Sequence, residues 1–200
     1  MLVQNTQGKH MARPMEFDRD EAVRLATRAF WECGYGSISA AELVERMGIA
    51  KSSFYNTFGS KTELLREAIT SYTHDRIAAL QRSARQSNVL DVLRHLLLDV
   101  AKRNDDGKGC LLVNTAIELS RHEPEMAQVT RSGFSEMAAT FELLIKAGQQ
   151  DGSVRAELDA KQQALILVTS IAGLRVMVQS GFSAKEMKPF IDTVIQPMQR

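Results

Sequence analysis

Residues 39–58, SAAELVERMGIAKSSFYNTF, limit what this chain can fold into more than any other stretch. Ser39 followed three residues later by Glu42 is a capping box, in which hydroxyl and carboxylate satisfy each other's orphan backbone N–H groups. Leu43, Val44 and Met47 then put apolar side chains on one helical face. Gly48 predicts the end of that helix, because glycine enters the left-handed conformation without a Cβ penalty. Ile49 plugs the corner. A second helix is expected from about Lys51, with Phe54, Tyr55 and Phe58 recurring at helical spacing. Two short helices around a tight glycine turn make a helix-turn-helix. The outer face of the second carries Lys51, Ser52, Ser53, Asn56 and Thr57, and Tyr55 joins them. Short polar side chains let a helix lie against base edges, and Lys51 reaches guanine or phosphate. The same spacing also allows an ordinary helical hairpin in an all-α core.

The residues that follow favour the first alternative. Ser60 and Glu63 form another helix start, placing Lys61 in a first turn where backbone amides favour an anion. From Met47 through Thr62 the only charged side chains are Lys51 and Lys61, so this face is locally positive. The whole chain is balanced, with a net charge of +1 over 200 residues. Useful affinity for DNA is therefore expected to need two copies of the domain.

The run GIAKSSFYNTFGSKTELL, preceded by FDRDEAVRLATRAFWECGYGSIS, resembles the N-terminal domain of TetR-type transcriptional regulators. Its most specific element is the set Phe54, Tyr55, Phe58 and Lys61. The likeness is close over residues 16–68; beyond that it lies in helical layout and length. Thr57 departs from the pattern, since the family often has His or another aromatic there; this bears on base preference, not on the fold. The resemblance implies a homodimer on a pseudo-palindromic double-stranded DNA operator, acting as a repressor that an unknown small-molecule effector releases. The expected DNA contacts are Ser39, Lys51, Ser52, Ser53, Tyr55, Asn56, Thr57 and Lys61.

The rest of the chain reads as helix throughout, giving an all-α fold. Asp18 and Glu21 open a first helix that ends at Gly34. A three-helix DNA-binding domain is expected over 11–60, with its motif at 39–58. A linking helix over 60–81 joins it to a regulatory and dimerisation domain filling 61–200. Helices are expected over 89–101, within the apolar run 110–119, and from Pro124 to about 148. The segment after Asp159 is apolar nearly all round, so one side must meet a partner. Val168, Ile171, Val178, Ile191, Val194 and Ile195 are the expected dimer contacts. Pro189 either kinks the last helix or starts a new one. Residues 1–10 carry no apolar core segment and read as a disordered extension before Met11, with Lys9, His10 and Arg13 available to phosphates. No uncharged apolar run of membrane-spanning length is present, so a cytoplasmic location is expected.

Catalysis is not expected. His10, His74, His95 and His122 fall in separate elements, and there is no phosphate loop or nucleophile elbow. Cys33 and Cys110 are too isolated for a disulfide framework or a metal site, and no cofactor is expected. Cys110 follows the turn-rich run RNDDGKG at a helix start, near Arg103 and Lys108. It is either a buried packing residue or a thiol sensor, which makes an electrophile- or redox-responsive switch the alternative function. Phe134, Met137, Phe141, Met177 and Asn114, with Cys110, are the expected lining of an apolar effector cavity. A helical interaction module that binds no DNA is a third possibility.

Overall fold

The computed structural model describes residues 17–102 and 107–199. The expected extension over 1–10, with Lys9 and His10, and the residues Arg13 and Arg103 lie outside those. The described residues form α1 (Arg19–Cys33), α2 (Ala40–Met47), α3 (Lys51–Phe58), α4 (Lys61–Ala84), α5 (Val89–Ala101), α6 (Leu111–Leu119), α7 (Pro124–Asp151), α8 (Ala160–Gln179) and α9 (Ala184–Ile195). A single 3-10 turn, Gln196–Met198, closes the chain. No strand occurs among the described residues.

Local sequence explains most boundaries. Asp18 accepts from the backbone N–H groups of Asp20 and Glu21 and starts α1. Ser39 and Glu42 close both arms of the capping box on α2, at 3.2 and 2.7 Å. Gly48 caps it in the left-handed region at φ 65°. Ser183 and Glu186 repeat the box on α9. α4 runs three residues past its expected end before Asn88 caps α5. Pro189 does not start a new helix: it lies inside α9.

Two apolar cores are stacked along the molecule. The first gathers Ala26, Phe30, Leu43, Phe54, Phe58, Leu64, Leu65 and Ile69 with Leu111, Leu112 and Met126. The second gathers Leu93, Leu97, Phe141, Ile145, Leu167, Leu174, Ile191 and Ile195. Phe134 and Met137 on α7 pack against both. A boundary at residue 60 therefore falls inside one core, because the linking helix and the start of α6 are built into it. Within the first core, α7 comes close to its neighbours at Gly133, where an added Cβ would lie 2.9 Å from Leu112 Cδ1 and 3.2 Å from Thr73 Oγ1. A side chain there would force Leu112 to shift within the core.

α8 is long and apolar enough to cross a membrane. Its Ala164, Leu167, Val168, Ile171 and Leu174 are nevertheless buried in the second core. This corrects the expected dimer contacts. Val168, Ile171, Val178, Ile191, Val194 and Ile195 are all at most 9% exposed within a single chain. They are the inner stripe of α8 and α9, and an all-round apolar sequence does not say which stripe turns inward. The outer stripe of α8 is Leu165, Ile166, Val176 and Met177, all exposed.

Candidate DNA interface and effector cavity

α3 is anchored from beneath. Phe54 is fully buried and Phe58 nearly so, their ring centroids 6.0 Å apart, and Phe17 backs Phe58 at 6.3 Å. That fixes the rotation of the helix and turns Lys51, Ser52, Tyr55 and Asn56 outward, with Ser53 and Thr57 half-buried at the edges. α1, α2 and α4 each have a side-chain cap, but α3 opens at Ala50 with none and has no acidic residue in its first turn. Its first N–H groups are thus left for an anion beside Lys51. Ser39 is exposed at the start of α2, its hydroxyl already accepting from Glu42 N–H.

Lys61, one of the expected DNA contacts, is also engaged within the chain. Its ammonium donates to the carbonyl of Tyr35 at 2.5 Å and lies 4.1 Å from the centroid of the Tyr35 ring. Burial pulls its pKa below the usual lysine value, with Glu118 and Glu42 working against the shift. Tyr35 hydroxyl and Thr62 Oγ1 close the same corner at 2.8 Å. Lys61 therefore ties α4 to the turn between α1 and α2.

Glu118 was not singled out from the sequence, yet it holds that same turn from the other side. Its carboxylate accepts from Tyr35 N–H at 3.1 Å and from Gly36 N–H at 2.6 Å. Two further links join the segment before α6 to α1. Trp31 Nε1 donates to the carbonyl of Gly109 at 3.1 Å, and Lys108 pairs with Glu32 at 3.1 Å. An acid at the end of an amphipathic helix gives no sequence signal that its partners are backbone amides far away in the chain.

Between α4, α5, α7 and α8 lies a cavity of about 380 Å³, within the usual range for small-molecule sites. Of the expected lining, Cys110, Met137 and Phe141 are in its wall. Asn114, Phe134 and Met177 are not. Asn114 donates to the carbonyl of Lys108 at 2.9 Å. Phe134 faces a shallow surface depression with Leu165, and Met177 lies on the outer stripe of α8. The wall instead recruits Tyr72, Arg76 and Leu80 from α4, Val92, His95, Leu96, Asp99 and Val100 from α5, and Ile171 and Arg175 from α8. Helical periodicity marks Tyr72, Leu80, Val92, Leu96, Val100 and Ile171 as candidates for burial; only the packing of α4 beside α5 tells cavity from core, and Arg76, His95 and Asp99 are exposed side chains that no apolar pattern points to.

Cys110 is buried at the N-terminus of α6, beside the Tyr72 hydroxyl. Burial, with the Cys110 sulfur beside it, pushes the Tyr72 pKa far above the ordinary phenol value, so Tyr72 stays a neutral donor. Lys108, expected to lie near the thiol, spends its charge on Glu32. Among the described residues no three of His, Cys, Asp and Glu gather to hold a metal ion.

With the geometry in hand, comparison with known proteins is decisive. Residues 23–68 match the family model for bacterial regulatory proteins of the tetR family, and residues 88–193 match the tetracyclin repressor-like C-terminal domain. The chain belongs to the TetR family of transcriptional regulators. It is 27% identical to the HTH-type transcriptional repressor ComR of Escherichia coli (strain K12), covering 94% of this chain and 92% of ComR. It is 24% identical to the repressor DhaR of Mycobacterium sp. (strain GP1), covering 90% and 91%. Among solved structures, a cysteine mutant of the TetR-family regulator CifR with 26-bp operator DNA superposes with a TM-score of 0.77. It is 25% identical, covering 94% of this chain and 100% of CifR. The reduced form of Escherichia coli NemR, at 18% identity and a TM-score of 0.80, shares the fold over 90% of this chain and 96% of its own.

Proposed function

We propose that this TetR-family protein is an operator-binding repressor, working as a homodimer and released by a small molecule in the cavity between α4, α5, α7 and α8. One observation carries the DNA-binding half: α3 is pinned by Phe54 and Phe58 while its uncapped N-terminus and Lys51, Ser52, Tyr55 and Asn56 face solvent. Ser53, Thr57, Ser39 and Lys61 complete the contact face at its edges. The names of ComR and DhaR, and the operator complex of CifR, support the same reading. A regulator of this kind acts where the DNA is, which supports a cytoplasmic location.

The partner surface is the outer stripe of α8, where Leu165 is 61% exposed and Val176 41%. Large apolar side chains in a row on one helix favour a protein partner over water, and a second copy is the one a two-fold operator requires. The function is binding rather than catalysis. His95 is held on the carbonyl of Asp91 and His74 beside Glu136. The burial of Cys110 and the Lys108–Glu32 pair do not favour a thiol switch. Mobility shift of the chain's own upstream DNA, with and without cysteine alkylation, tests both halves. Binding that survives alkylation is expected; release on alkylation would reinstate the thiol switch, and failure to bind that DNA or any other would overturn the repressor.

A further inference from the structure

The cavity wall carries a cation that no carboxylate among the described residues answers. Arg76 lies in its wall, and among the described residues it makes no ion pair. Its guanidinium instead stacks on aromatic faces, 4.9 Å from the Tyr72 centroid and 5.3 Å from that of Trp31. The other charges of the wall are placed differently. Asp99 is neutralised by Lys102 at 2.9 Å, so it offers an entering ligand little net negative charge. His95 has Nδ1 on the Asp91 carbonyl at 2.8 Å. Arg175 is a second guanidinium in the same wall, and both arginines act on the Tyr72 hydroxyl. One end of the cavity therefore combines a planar cationic fork with the Tyr72 hydroxyl, which burial keeps protonated. The remainder, with Leu80, Val92, Leu96, Val100, Phe141 and Ile171, is apolar.

We propose that the effector is an amphipathic organic anion, its carboxylate or similar oxyanion on Arg76 and its apolar body along α5 and α7. This rests on the cavity being the effector site. Stacking keeps the guanidinium plane in place, so little side-chain freedom is lost when it grips an oxyanion through two N–H groups. The same residue carries the signal. Trp31 belongs to α1, and its indole N–H holds the carbonyl of Gly109. An oxyanion held by that fork offsets the guanidinium charge and weakens its cation–π contact with the indole, which couples the cavity to the DNA-binding helices.

Trp31 is the only tryptophan of the chain, so its fluorescence reports on this contact directly. The test titrates the full-length protein with decanoate, decanol and decylamine, reading Trp31 emission and heat. Decanoate is expected to bind saturably, at least tenfold tighter than either analogue, and to change Trp31 emission. Arg76→Gln is expected to abolish that preference while leaving decanol binding intact, and Arg76→Lys to restore part of it. Equal affinity for decanoate and decanol, or an Arg76→Gln variant that keeps the preference, overturns the anion while leaving the cavity as an effector site. If none of the three probes binds, both the cavity as an effector site and the anion are overturned.

Discussion

Lys51 and Lys61 carry the same charge in opposite surroundings. Lys51 stands free at an uncapped helix start, whereas Lys61 is drawn onto the Tyr35 carbonyl and ring. Lys51→Ala is expected to lower operator affinity and to relax preference at one base pair per half-site, by about 1–3 kcal/mol if it reads guanine. Binding to a panel of single-base operator changes checks this; an unaltered profile makes Lys51 a phosphate contact. Lys61→Ala is expected to lower the melting temperature as well as weaken all sequences about equally, because it loosens the corner that carries the motif. A phosphate role alone would leave the melting temperature unmoved. Ser39 and Glu42 give a pH prediction. The Ser39 N–H and hydroxyl hold the Glu42 carboxyl below its ordinary pKa. That stabilisation is complete above the ordinary carboxylate value and is lost as pH falls through the lower folded value. Fraying of α2 is therefore expected only in acid below the ordinary carboxylate range, seen as loss of amide protection in residues 40–47. Ser39→Ala, at a cost of about 1 kcal/mol, should bring the same fraying to neutral pH.

Among the elements, α6 joins the cavity to the DNA-binding helices. It starts in the cavity wall at Cys110 and ends with Glu118 on the turn between α1 and α2. Glu118→Ala is expected to expose the Tyr35 and Gly36 amides, speeding their hydrogen exchange by the equivalent of roughly 1–2 kcal/mol. It should also shrink the effector's influence on operator affinity. Unchanged exchange at both amides would mean that the carboxylate does not hold the turn. The helices themselves were legible before the fold. Asp18, Ser39, Ser60, Asn88, Asp159 and Ser183 all cap where the sequence puts a helix start. Caps are local chemistry, so the sequence displays them. The Glu118 clamp and the Trp31 bond to Gly109 join residues distant along the chain, and no periodicity announces them. The same limit applies to the cavity: Met137 and Phe141 line it and Phe134 does not, although all three recur on one helix at apolar spacing.

For the molecule as a whole, α8 illustrates what a fully apolar helix hides. Its composition required two covered sides but did not say which stripe was inner. Leu165→Glu or Val176→Glu is expected to give folded monomers in sedimentation, since each charge would enter a desolvated interface between copies. Val168→Glu or Ile171→Glu should unfold the subunit, because each charge would be buried in the second core. A Leu165→Glu, Val176→Glu double variant that stays dimeric would move the interface off α8. The dimer matters because a chain of net charge +1 gains little from general attraction to DNA and must rely on two aligned copies of α3. The most direct test of that arrangement is to incubate the full-length protein with fragmented genomic DNA at physiological salt and sequence what it retains. The retained fragments are predicted to share a pseudo-palindrome whose half-site centres lie about 34–36 Å, one helical turn, or a multiple of that apart. Retention without a common two-fold motif, or no retention at all, would contradict it.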